Sequence, residues 1–256
     1  MSVYDHYRKE ELPFVERALE MLKHVERTQS MRLTDFLDPR QLEIMESLTS
    51  QADVRVDASG GFDGAERVRV LIYPPYFEIE QQDYQMVLTE IRGDQRFLKL
   101  SHKDVLGALL HIGLKREKFG DILLDESGCQ VVLAREVFDF IRLQVTQIHR
   151  LPVELVEVDW DELRVPEKQL VTKQVTLPSL RLDALIGEVH NLSRAKAVVP
   201  IRAGKVKVNW KITEDPSHAV KTGDVVSVGG FGRFLILETG GPTKSGRLRM
   251  TVGLYA

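Results

Sequence analysis

In the last third of the chain, cationic side chains outnumber acidic ones. Residues 178–256 carry 12 lysines and arginines against 6 aspartates and glutamates, whereas residues 1–177 carry 23 against 32. A basic segment joined to an acidic one is typical of a polyanion-binding end. Lys205 and Lys207 share one face of a predicted strand, because side chains alternate along it. The cations predicted to contact a phosphate backbone are Arg181, Arg194, Lys196, Arg202, Lys205, Lys207, Lys211 and Arg233.

Ser193 stands at the predicted start of a short helix, residues 193–202. Ser193 is predicted to cap this helix. The remaining free backbone N–H groups and the positive dipole end of the helix favour a phosphate there, so Ser193 is included among the predicted contacts. Arg194 and Lys196 lie in the first turn, where cations oppose the dipole at a cost of roughly a few tenths of a kcal/mol each. A bound polyanion would compensate for this unfavourable placement of two cations.

The same segment carries a spaced pattern that resembles a known RNA-binding module. The matching positions are Arg181-Leu182-Asp183, Leu185, Leu192-Ser193-Arg194, Ala197, Ile201, Gly204, Val206, Val208-Asn209, Gly223-Asp224, Val226 and Val228. This pattern is similar to the S4 domain of a small-subunit ribosomal protein, some tRNA synthetases and some pseudouridine synthases. The resemblance implies a helix pair that grips folded RNA by its phosphates and shape. Asp183 is predicted to be an internal partner for one of the arginines.

Four further stretches, residues 33–39, 102–110, 115–122 and 230–234, resemble the YlmH-type S4-domain proteins of bacteria. This resemblance spans nearly the full chain. It implies a ribosome-associated RNA-binding protein whose target is the large ribosomal subunit carrying stalled peptidyl-tRNA. It also implies genes grouped with cell-division genes.

Two residues of the S4-like segment depart from the family pattern. Gly229 stands where the family has an arginine, so one phosphate contact is expected to be missing. Pro200 falls inside the second helix and is expected to kink it or end it early, which affects the placement of Arg202.

Hydrophobic periodicity divides the chain into three predicted domains of an α+β protein. Residues 1–75 are predicted to form two helices and then two strands, an αα-ββ domain. Residues 76–160 have the order β-α-β-β-α-β, the ferredoxin-like arrangement that RNA-recognition motifs also use. A polar connector, residues 159–174, leads to the S4 domain with its C-terminal strands, residues 178–256.

The predicted middle domain lacks the aromatic pair with which RNA-recognition motifs stack bases. Its central strands carry only Tyr84, at an edge, so we do not expect this sheet to read RNA in that way. The loop after its first helix is a better candidate for a second RNA contact, through Lys115, Arg116 and Lys118. Cations that follow a helix C-terminus also complement its dipole, so a purely structural role is equally compatible with the sequence.

Motifs of catalysis and metal binding are incomplete in the sequence. His149-Arg150-Leu151 is similar to the stretch that carries the catalytic aspartate of pseudouridine synthases, but the next residue is Pro152, which has no carboxylate. The glycines and lysine of residues 240–246 lack P-loop spacing. The 7 histidines show no HExxH-type pairing, and one cysteine cannot build a zinc site. We therefore expect no enzyme activity, no cofactor and no metal.

Composition also limits the compartment and the partners. No segment approaches the ~18–20 apolar residues of a membrane span, and the first residues contain no signal-peptide run. The single cysteine, Cys129, is typical of a buried thiol in a reducing compartment. We expect a cytoplasmic protein that binds rRNA, with tRNA as a second candidate, and neither a membrane nor DNA. An RNA-modifying enzyme anchored by an S4 domain and a cell-division-linked adaptor remain as alternatives.

Overall fold

The structure is a computed structural model, which describes residues 3–50, 52–93, 100–167, 170–243 and 246–255. The chain divides into two compact units, residues 1–166 and 167–256. Each unit combines helices with antiparallel sheet, which confirms the predicted α+β class. The boundaries of the three predicted domains stay a prediction, and the first two of those domains lie in one unit. Within the described ranges, every helix is too short or too polar to span a bilayer.

The first unit opens with two helices and a small sheet. Its elements are α1 (Leu12–Thr28), β1 (Arg32–Leu33), α2 (Pro39–Thr49), β2 (Arg55–Ser59) and β3 (Arg69–Tyr73). The central strand β3 is antiparallel to both β1 and β2. In the sequence, Asp38-Pro39 predicts a helix cap followed by proline at the first helical position. The structure confirms it, because Asp38 Oδ1 accepts a hydrogen bond of 2.9 Å from the Gln41 backbone N–H and Pro39 begins α2. The strand β1 is an addition to the predicted αα-ββ order.

A five-stranded antiparallel sheet completes the first unit. Its elements are β4 (Met86–Gly93), α3 (His102–His111), β5 (Phe119–Asp125), β6 (Gly128–Ala134), α4 (Arg135–Gln144), β7 (Gln147–Ile148) and β8 (Leu151–Glu157). The strand order β5-β6-β4-β8 is ferredoxin-like, with β7 added at the edge. The sequence predicts that the second helix runs to residue 148, but α4 ends at Gln144, because residues 147 and 148 pair with β8. Short 3-10 helices lie at Val3–His6, Gln81–Tyr84, Arg116–Lys118 and Trp160–Glu162.

The two faces of this five-stranded sheet pack into different cores. Val87 and Val131 lie in one core with residues of α3 and α4. Their neighbours along the strands, Leu88 and Val132, lie in a second core with Phe36 and residues of β3. Side chains alternate along a strand, so the face opposite the helices is buried inside the unit. RNA-recognition motifs stack bases on that face, and here it is occupied by the N-terminal elements.

The second unit is a six-stranded antiparallel sheet with two helices. Its elements are β9 (Leu170–Leu177), α5 (Leu182–Val189), α6 (Arg194–Arg202), β10 (Val206–Val208), β11 (Lys211–Ile212), β12 (Val225–Val228), β13 (Gly232–Pro242) and β14 (Leu248–Tyr255). The strand order is β11-β10-β12-β13-β14-β9. The predicted connector over residues 159–174 is wrong in its last part, because β9 pairs with β14 along its whole length.

One face of the six-stranded sheet forms a core with both helices. Leu185, Ile186 and Ile201 are fully buried there against strand residues such as Val226 and Phe234. This packing fixes α5 and α6 as a pair on the sheet. The start of each helix, where several of the predicted contact residues lie, is therefore held by the core.

Pro200 does not end α6 early, so the expectation of an early helix end is wrong. The helix continues to Arg202, and the Ala203 N–H donates to the Val199 carbonyl at 3.1 Å to close the last turn. A proline inside a helix removes one hydrogen bond, here the one to the Lys196 carbonyl. The loss falls near the helix end, where few bonds follow it, and Arg202 stays exposed in the last turn.

Candidate nucleic-acid interface

Two of the predicted contact residues, Arg181 and Arg194, meet at one buried carboxylate. Asp183 lies in the first turn of α5 and is 1% exposed. It accepts two hydrogen bonds of 3.0 Å from Nε and Nη2 of Arg181 and one of 3.1 Å from Nε of Arg194. The prediction that Asp183 is an internal partner of an arginine is confirmed, and it serves both. These three residues are named the Asp183 cluster below.

Asp183 orients both guanidinium groups toward solvent. Since it engages only part of each guanidinium, other N–H donors of each group point away from the carboxylate. The Arg194 side chain is 72% exposed and that of Arg181 37%. Burial disfavours the charged form of Asp183, but hydrogen bonds from the two arginines outweigh it, so its pKa lies below the ordinary value. Asp183 is therefore charged at neutral pH and can hold the pair in place.

The first turn of α6 contains Arg194, a member of the Asp183 cluster, and can accept an anion. Ser193 caps the helix as predicted, since its Oγ accepts a hydrogen bond of 3.4 Å from the Lys196 backbone N–H. The first turn contains no acidic residue, and the side chains of Arg194 and Lys196 are exposed. An uncompensated positive dipole end with two exposed cations is suited to a phosphate.

Three other predicted cations lie toward the opposite end of α6. Arg202 is in its last turn, and Lys205 and Lys211 follow the helix. The nine residues of α6 span about 13 Å, which separates Arg202 and Lys205 from the helix start. Lys211 lies on β11, the edge strand, where it pairs with Val208. The structure thus forms two groups of cations, one at each end of α6, in place of one cluster.

A row of polar side chains crosses the sheet next to this second group. Lys207 on β10 and Arg233 on β13 both lie opposite Ser227 on the strand between them. The Arg233 guanidinium carbon lies 4.2 Å from the centre of the Tyr255 ring, a cation–π contact that fixes its position. Since residues in register share one face, Lys207 and Arg233 project from the same side of the sheet.

The second predicted RNA contact, at Lys115, Arg116 and Lys118, divides into one exposed residue and two that hold the fold together. Arg116 donates to the Phe119 and Gly120 carbonyls at 2.6 and 3.1 Å, and burial lowers its pKa to about 10. Lys118 donates to Asp35 at 2.6 Å and to Glu136 at 3.2 Å. The Lys115 side chain is exposed, so of these three residues Lys115 stays a candidate RNA contact.

Tyr84, the aromatic residue on which a base platform could depend, is 3% exposed. Its hydroxyl donates to Asp57, and burial is the main cause that raises its pKa. The ring is therefore part of the core, in agreement with the expectation that the middle sheet does not stack bases.

A cavity of about 390 Å³ opens beside the Asp183 cluster, and Arg247 lines it as well. Arg247 Nη2 donates to the Thr176 carbonyl at 2.5 Å and to Glu188 Oε1 at 2.6 Å. Sequence reasoning missed this residue because it lies outside the S4-like pattern. Only the pairing of β9 with β14 brings it next to α5.

Comparison with known proteins identifies the parts of the chain. Three family models match: "YlmH, N-terminal" over residues 10–77, "Putative RNA-binding domain in YlmH" over residues 79–162, and "S4 domain" over residues 180–226. The chain is 40% identical over 250 residues to the Ribosome-associated protein quality control protein P2 of Bacillus subtilis. The aligned region covers 98% of this chain and 97% of that protein. This chain belongs to the YlmH family.

A solved structure agrees with the assignment to the YlmH family. The chain is similar to the "Cell division protein ylmH from Streptococcus pneumoniae", with a TM-score of 0.55 and 32% identity. The match covers 64% of this chain and all of that one. The family membership and the S4 domain that the sequence predicts are thus confirmed, and with them an RNA-binding class of protein.

The cysteine of this YlmH-family chain is a core residue. Cys129 is 1% exposed, and burial raises the pKa of its thiol to about 12. A thiol that stays protonated is a poor nucleophile and a poor metal ligand. The predicted buried thiol is confirmed.

Replacing Asp183 by asparagine should weaken RNA binding about tenfold, although the change makes the protein more positive. Asparagine offers one acceptor where the carboxylate offers two, so the two guanidinium groups lose their fixed direction. The slope of log affinity against log salt should stay unchanged, because no phosphate-binding cation is removed. Filter binding at several salt concentrations measures both quantities. A gain in affinity would show that Asp183 acts only by neutralising charge.

Proposed function

We propose that this YlmH-family protein is a non-catalytic factor that binds structured rRNA on the large subunit of bacterial ribosomes. We propose further that its target subunit carries stalled peptidyl-tRNA, with tRNA as a second RNA contact, and that it acts in the cytoplasm. The observation that carries the proposal is the Asp183 cluster next to the start of α6. There, two oriented guanidinium groups and a capped helix start offer donors to adjacent phosphates.

Two further observations support this assignment. The Bacillus subtilis relative is named a ribosome-associated protein quality control protein. The contacts that the geometry provides suit phosphates, which position a protein on folded RNA without reading its sequence. Recognition by shape is the usual mode for helical RNA.

Co-sedimentation with purified large ribosomal subunits tests the proposal. Binding through about four phosphates should lose roughly 100-fold in affinity between about 50 and 200 mM salt. Titration of the full-length chain against the subunits at these two salt concentrations gives the ratio. Absence of binding at the lower concentration, or binding that salt does not change, contradicts the proposal.

The name of the Streptococcus pneumoniae protein, a cell division protein, favours one alternative, an adaptor in cell division. Such a role would depend on protein surfaces and would give association with division proteins that survives ribonuclease and high salt. A pull-down from ribonuclease-treated extract separates the two functions, because binding to ribosomal particles requires RNA.

A further inference from the structure

The turn between β12 and β13 displays one aromatic side chain among glycines. Gly229, Gly230 and Phe231 connect Val228 to Gly232, which pair across the two strands. Gly230 and Gly232 have φ angles of +86° and +104°, conformations that favour glycine. The Phe231 side chain is 48% exposed, and no other residue of the turn has one.

The Phe231 ring is held from one side and open on the other. Its centre lies 5.2 Å from that of His190, and the His190 ring lies 5.8 Å from that of Phe234. Phe234 is fully buried in the core of the unit. This chain of ring contacts fixes Phe231 without covering it, so the exposed part of the ring is available to a planar partner.

The surroundings of this turn are cationic. The Gly229 N–H donates to the Lys205 carbonyl at 2.8 Å, and a Cβ at Gly229 would lie 3.3 Å from the Lys205 Cβ. The absence of a side chain at Gly229 therefore lets the turn lie close to Lys205. Lys205 and Lys207 are exposed and form no ion pair with any other residue that the structure describes. Arg233, two residues after Phe231, belongs to the same strand pair.

We propose that Phe231 stacks on an unpaired nucleobase of the bound RNA, while Lys205 and Lys207 contact the neighbouring phosphates. Aromatic rings beside cations are the pattern by which proteins hold single-stranded RNA, because every base has a face that can stack. The charge of the turn's neighbours favours RNA over an apolar protein surface. This inference rests on the proposed RNA binding and adds a second kind of contact at the far end of α6.

Two substitutions of Phe231 in the full-length chain test the stacking. Phe231→Leu keeps apolar bulk against His190 but removes the aromatic face, and should lower the affinity for protein-free large-subunit rRNA about tenfold. Phe231→Tyr should bind like the unchanged protein. The salt slope should be the same in all three, because stacking involves no phosphate. Val199→Ala removes another exposed apolar residue of the same unit, 66% exposed, and should leave the affinity unchanged.

The outcomes separate this inference from the proposed function. If Phe231→Leu binds rRNA like the unchanged protein while charge reversal at the start of α6 abolishes binding, stacking is wrong and the proposed function stands. If Phe231→Leu loses affinity only for whole subunits and not for protein-free rRNA, the ring contacts a ribosomal protein and the inference is overturned. If the unchanged protein binds neither, the proposed function itself fails. Thermal unfolding of each variant confirms that the unit is folded.

Discussion

Reversing both charges at the start of α6, with Arg194→Glu and Lys196→Glu, should abolish binding to large ribosomal subunits. Each cation is expected to form a charge-assisted hydrogen bond to phosphate, and these bonds contribute roughly 1.5–3 kcal/mol apiece. Losing two such bonds and adding two repulsions should lower the affinity by at least about 100-fold. The slope of log affinity against log salt should fall as well, because two fewer phosphates are neutralised. Co-sedimentation at low salt measures the first effect and filter binding the second.

The same double variant should remain folded. Arg194 is 72% exposed, so its ion pair with Asp183 contributes little to stability. Glutamates in the first turn of a helix interact favourably with the dipole, which offsets that loss. Lys115→Glu is the matched control, since it reverses one exposed charge in the first unit and should have a smaller effect. Equal loss of binding in the control would show that the start of α6 has no special role. The Tm of the double variant checks separately that the loss of binding is not a loss of folding.

The parts of the fold that local sequence signals determine could be predicted. Asp38 and Ser193 each cap a helix at the predicted position, because a cap depends on residues within three positions of it. The ferredoxin-like order followed from alternation and helical spacing over residues 76–160. In the site, the cap at Ser193 and the Arg181–Asp183 contact could be predicted for the same reason, whereas Arg194 reaches Asp183 from 11 residues away.

The parts that depend on distant pairing could not be predicted. Leu170–Leu177 is polar enough to resemble a connector, and it is a strand only because Leu248–Tyr255 pairs with it. Lys118 resembles a free cation in the sequence, whereas the fold places Asp35 against it from 83 residues away. Arg247 is a second example, since strand pairing alone brings it to the cavity beside the Asp183 cluster. Such contacts leave no local pattern in the sequence.

Replacing Arg69 by methionine should destabilise the first unit by about 3 kcal/mol or more. Arg69 is 4% exposed, and it donates to the Thr34, Tyr84 and Gln85 carbonyls at 2.9–3.2 Å and to Glu136 at 3.3 Å. It therefore joins β3 to the segment before β4 and to α4. Methionine has a similar length but no donor, so the buried residues Thr34 and Tyr84 lose the hydrogen bonds to their carbonyl groups.

Urea denaturation measures this loss, and the chain offers a probe for it. The two tryptophans, Trp160 and Trp210, lie in different units, so in a Trp210→Phe background the fluorescence reports on the first unit alone. Arg135→Met is the matched control, because the Arg135–Glu157 pair is 49% and 42% exposed and should contribute less than about 1 kcal/mol. If both variants unfold at the same urea concentration, the buried bonds of Arg69 add no more than a surface ion pair does. In that case the N-terminal elements would be held on the sheet by the apolar contacts of Phe36 and its neighbours.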